Sequence, residues 1–68
     1  MNAEFLKTFQ AARESSRRLR RSVYLIRWNG QIVHSFRRPV QPGCEVLLRV
    51  APWTRLEDIP ARVLALAS

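Results

Sequence analysis

The chain has 68 residues, 47% of them apolar, and twelve basic side chains against five acidic ones, a net charge of +7. So short a chain holds one domain, 1–68, and buries only about 60% of the surface its unfolded form exposes. Cys44 is the only cysteine and His34 the only histidine, which excludes an internal disulfide and a Cys/His metal set.

A lone thiol suits a reducing compartment, and the first residues lack the apolar run of a signal peptide. The expected location is cytoplasmic, without a membrane span. With much apolar sequence, little chain to bury it and no staple, a homodimer is expected.

Residues 3–20 read as a helix. Phe5, Phe9, Ala12, Ser16 and Leu19 recur at four- and three-residue spacings, one face of a 3.6-residue period. Asn2 is the expected N-cap, and Glu4 suits the positive end. The other side carries Lys7, Arg13, Arg17, Arg18, Arg20 and Arg21 against Glu4 and Glu14, a cationic excess beyond what solvation needs.

Strands are expected at 22–28 and 31–37, both rich in β-branched and aromatic residues. Asn29-Gly30 between them predicts a type I′ hairpin turn, because both positions then need positive φ. That turn sets Trp28 opposite Gln31, Ile26 opposite Val33 and Tyr24 opposite Ser35. One face, Val23, Leu25, Ile32 and Phe36, is expected to pack on a helix, with the reverse assignment left open because each face has polar members. The other, Tyr24, Ile26, Trp28 and Val33, then needs a cover: a second helix, a twin subunit or a ligand.

Pro42-Gly43 marks a turn before a third strand at 44–50. Alternation puts Cys44, Val46, Leu48 and Val50 on one side and Glu45, Leu47 and Arg49 on the other. Hairpin adjacency places this strand beside the second. Thr54 and Glu57 have the spacing of a capping box. A short turn at 54–58 and a final helix at 59–67 follow, with Ile59, Val63 and Leu66 or Leu64 as its apolar stripe. The fold class is α+β, in the order α-β-β-β-α. An antiparallel three-stranded sheet packs against an N-terminal and a C-terminal helix.

No catalytic constellation is visible, so neither enzymatic activity nor a cofactor is expected. His34 and Cys44 lack a third orienting group. Eleven of the twelve cations are arginine, whose planar fork matches phosphate bidentately and stacks on flat rings.

The stretch "WNGQIVHSFRRPVQPGCEVLL" resembles the closing β-hairpin of the alpha-L RNA-binding motif. That motif is shared by a small-subunit ribosomal protein, some tyrosyl-tRNA synthetases and many pseudouridine synthases. Trp28-Asn29-Gly30, Arg37-Arg38, Val40, Pro42-Gly43, Val46 and Leu48 follow its order, with Cys44 where the family has aspartate. The resemblance implies RNA as partner.

Charge and resemblance together favour a small, non-catalytic nucleic-acid-binding protein, with RNA or single strands preferred. Its phosphate contacts are expected from Arg13, Arg17, Arg20, Arg21, Arg27, Arg37 and Arg38; Tyr24 and Trp28 are the candidates for base stacking, with core or dimer packing the favoured alternative for both. The rival reading is a small protein-interaction regulator, or a phage-type inhibitor docking on an acidic host protein through an apolar patch rimmed by arginines. Interfacial membrane binding by Phe5, Leu6 and Phe9 requires that the helix leave its stripe free.

Overall fold

The Phe5, Phe9, Ala12, Ser16 stripe builds α1 (Ala3–Leu19), and all four side chains are buried. The computed structural model describes residues 3–66. The expected N-cap Asn2, and Ala67 at the end of the expected last helix, lie outside them. Leu19, expected on the stripe, is instead 48% exposed. The helix stops there because Arg20 turns left-handed (φ 53°) and the Arg21 N–H donates to the Ser16 carbonyl at 3.2 Å. This is a Schellman ending. The buried Ser16 hydroxyl reinforces it by donating to the Arg21 carbonyl at 2.6 Å.

Glycine is the usual residue at such a left-handed cap, since a Cβ there meets the following carbonyl. Replacing Arg20→Gly should therefore stabilise the fold by roughly 0.5–1 kcal/mol, net of glycine's extra freedom when unfolded. Calorimetry should then show Tm rising by several degrees, at about 4–8 °C per kcal/mol for a domain of this size. An unchanged or lower Tm would mean that the arginine side chain offsets its own strain.

The hairpin forms as its turn dictates. β1 (Val23–Trp28) and β2 (Gln31–Ser35) join through Asn29 (φ 52°) and Gly30 (φ 73°). Trp28 faces Gln31, Ile26 faces Val33 and Tyr24 faces Ser35, the register expected. β2 ends earlier than the expected residue 37. The Ser35 hydroxyl accepts from the Arg37 N–H at 3.2 Å and donates to the Arg37 carbonyl at 3.0 Å, a local turn that replaces the ladder. Phe36, expected in the core, leaves the sheet with it and is 38% exposed.

β3 (Glu45–Val50) pairs with β1, not with β2, correcting the hairpin-adjacency expectation; the sheet order is β2-β1-β3. β1 is the strand suited to the centre. Val23 and Leu25 are buried on one face and Ile26 on the other, as a strand covered on both sides requires. Simple alternation in β3 also fails, because a register shift lies between Leu25 and Ile26. Leu48 faces Leu25 and Val46 faces Ile26, so Leu47 is the extra residue of a bulge. Leu47 and Val50 are buried in the core and Leu48 packs against it.

Both outer strands run antiparallel to β1, so the chain from Ser35 to Glu45 must return along the sheet. With α1 on one face, segment 36–44 takes the other. Its Pro39, Gln41 and Cys44 line a cleft of about 180 Å³ with Ile26, Trp28 and Val33. This crossover covers only the middle of the second face: Ile26 is 4% exposed beneath it, while Trp28 and Val33 stay exposed at 45% and 37%. Gly43 (φ 86°) supplies the turn, with the Cys44 N–H donating to the Gln41 carbonyl at 3.4 Å.

After β3 the chain makes a tight turn over Ala51–Thr54, a 3₁₀ turn at Leu56–Asp58, and α2 (Ala61–Leu66). The expected Thr54/Glu57 capping box is displaced by one residue. The Arg55 N–H donates to Asp58 Oδ2 at 2.9 Å, while the Thr54 hydroxyl is held by the Ala51 N–H. The last helix starts at Ala61 rather than 59, with the Pro60 carbonyl accepting from Val63 and Leu64. Ile59 and Val63 join Phe5 and Phe9 in one core cluster, and Leu64 packs against it; Leu66 stays exposed.

Candidate nucleic-acid interface

The topology sorts the cations. α1 ends, β1 begins, β2 ends and β3 ends at one pole of the sheet, because β1 runs antiparallel to both neighbours. Arg17, Arg18, Arg20 and Arg21 arrive there from the helix, Arg37 and Arg38 from the end of β2, and Arg49 from the end of β3. Seven of the eleven arginines thus share one end of a small domain.

Three of these guanidinium groups are held in place. Arg17 Nε donates to the Pro52 carbonyl at 3.0 Å, and Arg49 Nε donates to the Ser22 hydroxyl at 3.0 Å. The Arg21 guanidinium lies over the Phe36 ring, 5.4 Å from its centroid. A guanidinium has five N–H donors, so each anchor leaves most of the fork for another acceptor. Among the described residues none of the seven is in an ion pair; the two pairs present are Arg27–Glu45 at 2.7 Å and Arg55–Glu57 at 3.4 Å. Like charges packed without counterions repel, and a polyanion relieves that repulsion.

Of the residues expected to form the site, Arg17, Arg20, Arg21, Arg37 and Arg38 are brought together at the pole. Arg13 is set back along α1, with its guanidinium 5.4 Å from the Phe9 ring centroid. Arg27 and Trp28 sit at the opposite, hairpin end of β1, and Arg27 is paired with Glu45. Tyr24 lies at the basic end beside Arg49 and is half-buried. Tyr24 and Trp28 share a face but stand about 13 Å apart along the strand. The covered Ile26 lies between them, so they do not form one continuous platform.

Three residues at the pole were missed from the expected site: Arg18, although it belongs to the cationic side of the helix, Arg49 and Trp53. Arg49 becomes a neighbour of Tyr24 only because β3 pairs with β1. Trp53 stands in the turn that follows β3 and is 77% exposed. Its signal was an indole placed directly after a proline, in a turn, where no alternating pattern buries it.

Other chemistry is sparse. His34 lines a groove with Lys7 and Thr8 of α1, while Cys44 lines the cleft under the crossover, so the fold does not join them. Among the described residues there is no metal-holding group of His, Cys, Asp or Glu, and no helix is long and apolar enough to cross a membrane. Phe5 and Phe9 are fully buried, so the stripe an interfacial helix would need is occupied by the core. Comparison with protein-family models, with curated proteins and with solved structures finds no match for this chain.

Proposed function

We propose that this protein binds nucleic acid, RNA or single strands in preference to duplex DNA, through phosphate contacts at the arginine pole, without catalysing a reaction. The observation that carries the reading is the convergence of Arg17, Arg18, Arg20, Arg21, Arg37, Arg38 and Arg49 at one end, with no carboxylate partner among the described residues. Arg20 adds to it. A glycine position is held by an arginine, so a charge is kept where backbone strain argues against it. The resemblance of residues 28–48 to the alpha-L motif points to RNA among polyanions. A cytoplasmic setting and a homodimeric state belong to the same reading, and light scattering measures the latter.

Counterion release makes the reading quantitative. If the pole engages four to six phosphates of a single strand, log K should fall against log salt with a slope of about −3 to −4. Fluorescence anisotropy of labelled RNA, DNA and duplex oligonucleotides across a salt series measures that slope. Absence of binding at low salt would overturn the reading. A second reading, docking on an acidic protein, draws on Leu19, Phe36 and Trp53, apolar side chains exposed among the arginines. No oligonucleotide binding at low salt would leave the arginines and this apolar rim to an acidic protein partner.

A further inference from the structure

We infer that Trp53 is a stacking platform for an unpaired base, which makes single-stranded nucleic acid the ligand of the arginine pole. The inference rests on the nucleic-acid reading above and deepens it. Tryptophan is the largest apolar side chain and is heavily buried on average. Here its neighbours Ala51 and Thr54 are buried and the indole alone is turned outward.

The turn that carries it is rigid. The Thr54 N–H donates to the Ala51 carbonyl at 3.0 Å, and the Ala51 N–H donates to the Thr54 hydroxyl at 2.8 Å in a buried pairing. Pro52 fixes its own φ, and its carbonyl receives Arg17 Nε at 3.0 Å. Four constraints therefore fix the backbone that presents the exposed ring. A platform whose backbone is already ordered has only its side-chain rotamers left to lose when a ligand stacks on it.

The ring faces are free. Among the described residues no cation or second ring packs on Trp53, although Arg13 and Arg21 do pack on Phe9 and Phe36. Arg17 sits one residue away through the Pro52 carbonyl, and its Nη donors take no part in that bond. A flat π surface beside phosphate-binding cations is what single-strand sites combine. A duplex offers base edges but hides base faces in its own stack, so it can use the arginines and not the indole.

The test uses the whole chain carrying Trp28→Phe, so that fluorescence reports Trp53 alone. The probes are a single-stranded oligouridylate of about 10 nucleotides and an RNA duplex of the same length. Oligouridylate should quench the Trp53 emission. With affinities read by anisotropy of labelled oligonucleotides, Trp53→Ala should weaken oligouridylate binding by about 10- to 100-fold and change duplex binding less than about twofold. Trp53→Phe should restore part of the affinity and Trp53→Leu should not, since leucine keeps apolar area but has no π face. Because the indole is exposed, these variants keep the core intact, and circular dichroism verifies that. Unchanged oligouridylate affinity in Trp53→Ala, full rescue by leucine, or an equal loss for the duplex would each overturn the inference alone. No binding by the parent protein at low salt would overturn it together with the nucleic-acid reading.

Discussion

Phe9→Ala should remove about 3–5 kcal/mol, a third or more of the stability of the fold, and lower Tm by more than about 10 °C by circular dichroism. Phe9 is fully buried on α1, its ring stacked with Phe5 at 6.5 Å between centroids and 8° between planes. The same cluster ties α1 to Val23 and Leu25 of the central strand, to Leu47 and Val50 of β3, and to Val63 of α2. Removing a buried phenylalanine ring costs about 3–5 kcal/mol, from lost burial plus the cavity left behind. A domain of this length has a total stability of roughly 3–10 kcal/mol. The Arg13 guanidinium would also lose the ring it packs on. Leu19→Ala is the informative contrast. It lies on the expected stripe but is half exposed, and should cost under about 1 kcal/mol. Equal losses in the two variants would mean that the stripe continues into the last turn.

Local chemistry was readable and long-range placement was not. Asn29-Gly30 determines the hairpin register by itself, because the turn admits one pairing of its flanking strands. The stripe from Phe5 to Ser16 sets the helix in the same local way. Strand order depends instead on which strand can be covered on both faces, a property of the assembled fold. A trace of it is present in Val23, Leu25 and Ile26, which load both faces of β1, as only a central strand does. The bulge at Leu47 has no comparable sign, since "VLLRV" alternates acceptably in either register.

The same division explains the candidate site. Arg20, Arg21, Arg37 and Arg38 flank the hairpin in sequence, so an antiparallel pairing brings them together. Arg49 and Trp53 reach that end only through the β1–β3 pairing, which sequence adjacency hid. Arg27, adjacent to Trp28 in sequence, is carried to the far end by its own strand and is paired with Glu45 there.

Replacing Arg20, Arg21, Arg37 and Arg38 together by glutamine should lower affinity for single-stranded RNA by about 10²–10³-fold at 0.1 M salt. Each phosphate contact on a single strand adds about 0.7 to the salt slope, so four lost contacts reduce it by about 3. At a tenfold dilution from 1 M, that slope is a factor of several hundred. The variant lowers net charge from +7 to +3, by four of the chain's cations. A matched control removes the same number of charges elsewhere, with Lys7, Arg13, Arg27 and Arg62 replaced by glutamine. Arg27 is already engaged by Glu45, and that exposed pair contributes little to stability. If affinity follows position, the control should keep a salt slope within about 1 of the parent while the pole variant loses most of it. If both variants weaken alike, net charge alone attracts the nucleic acid, and the pole is not its site.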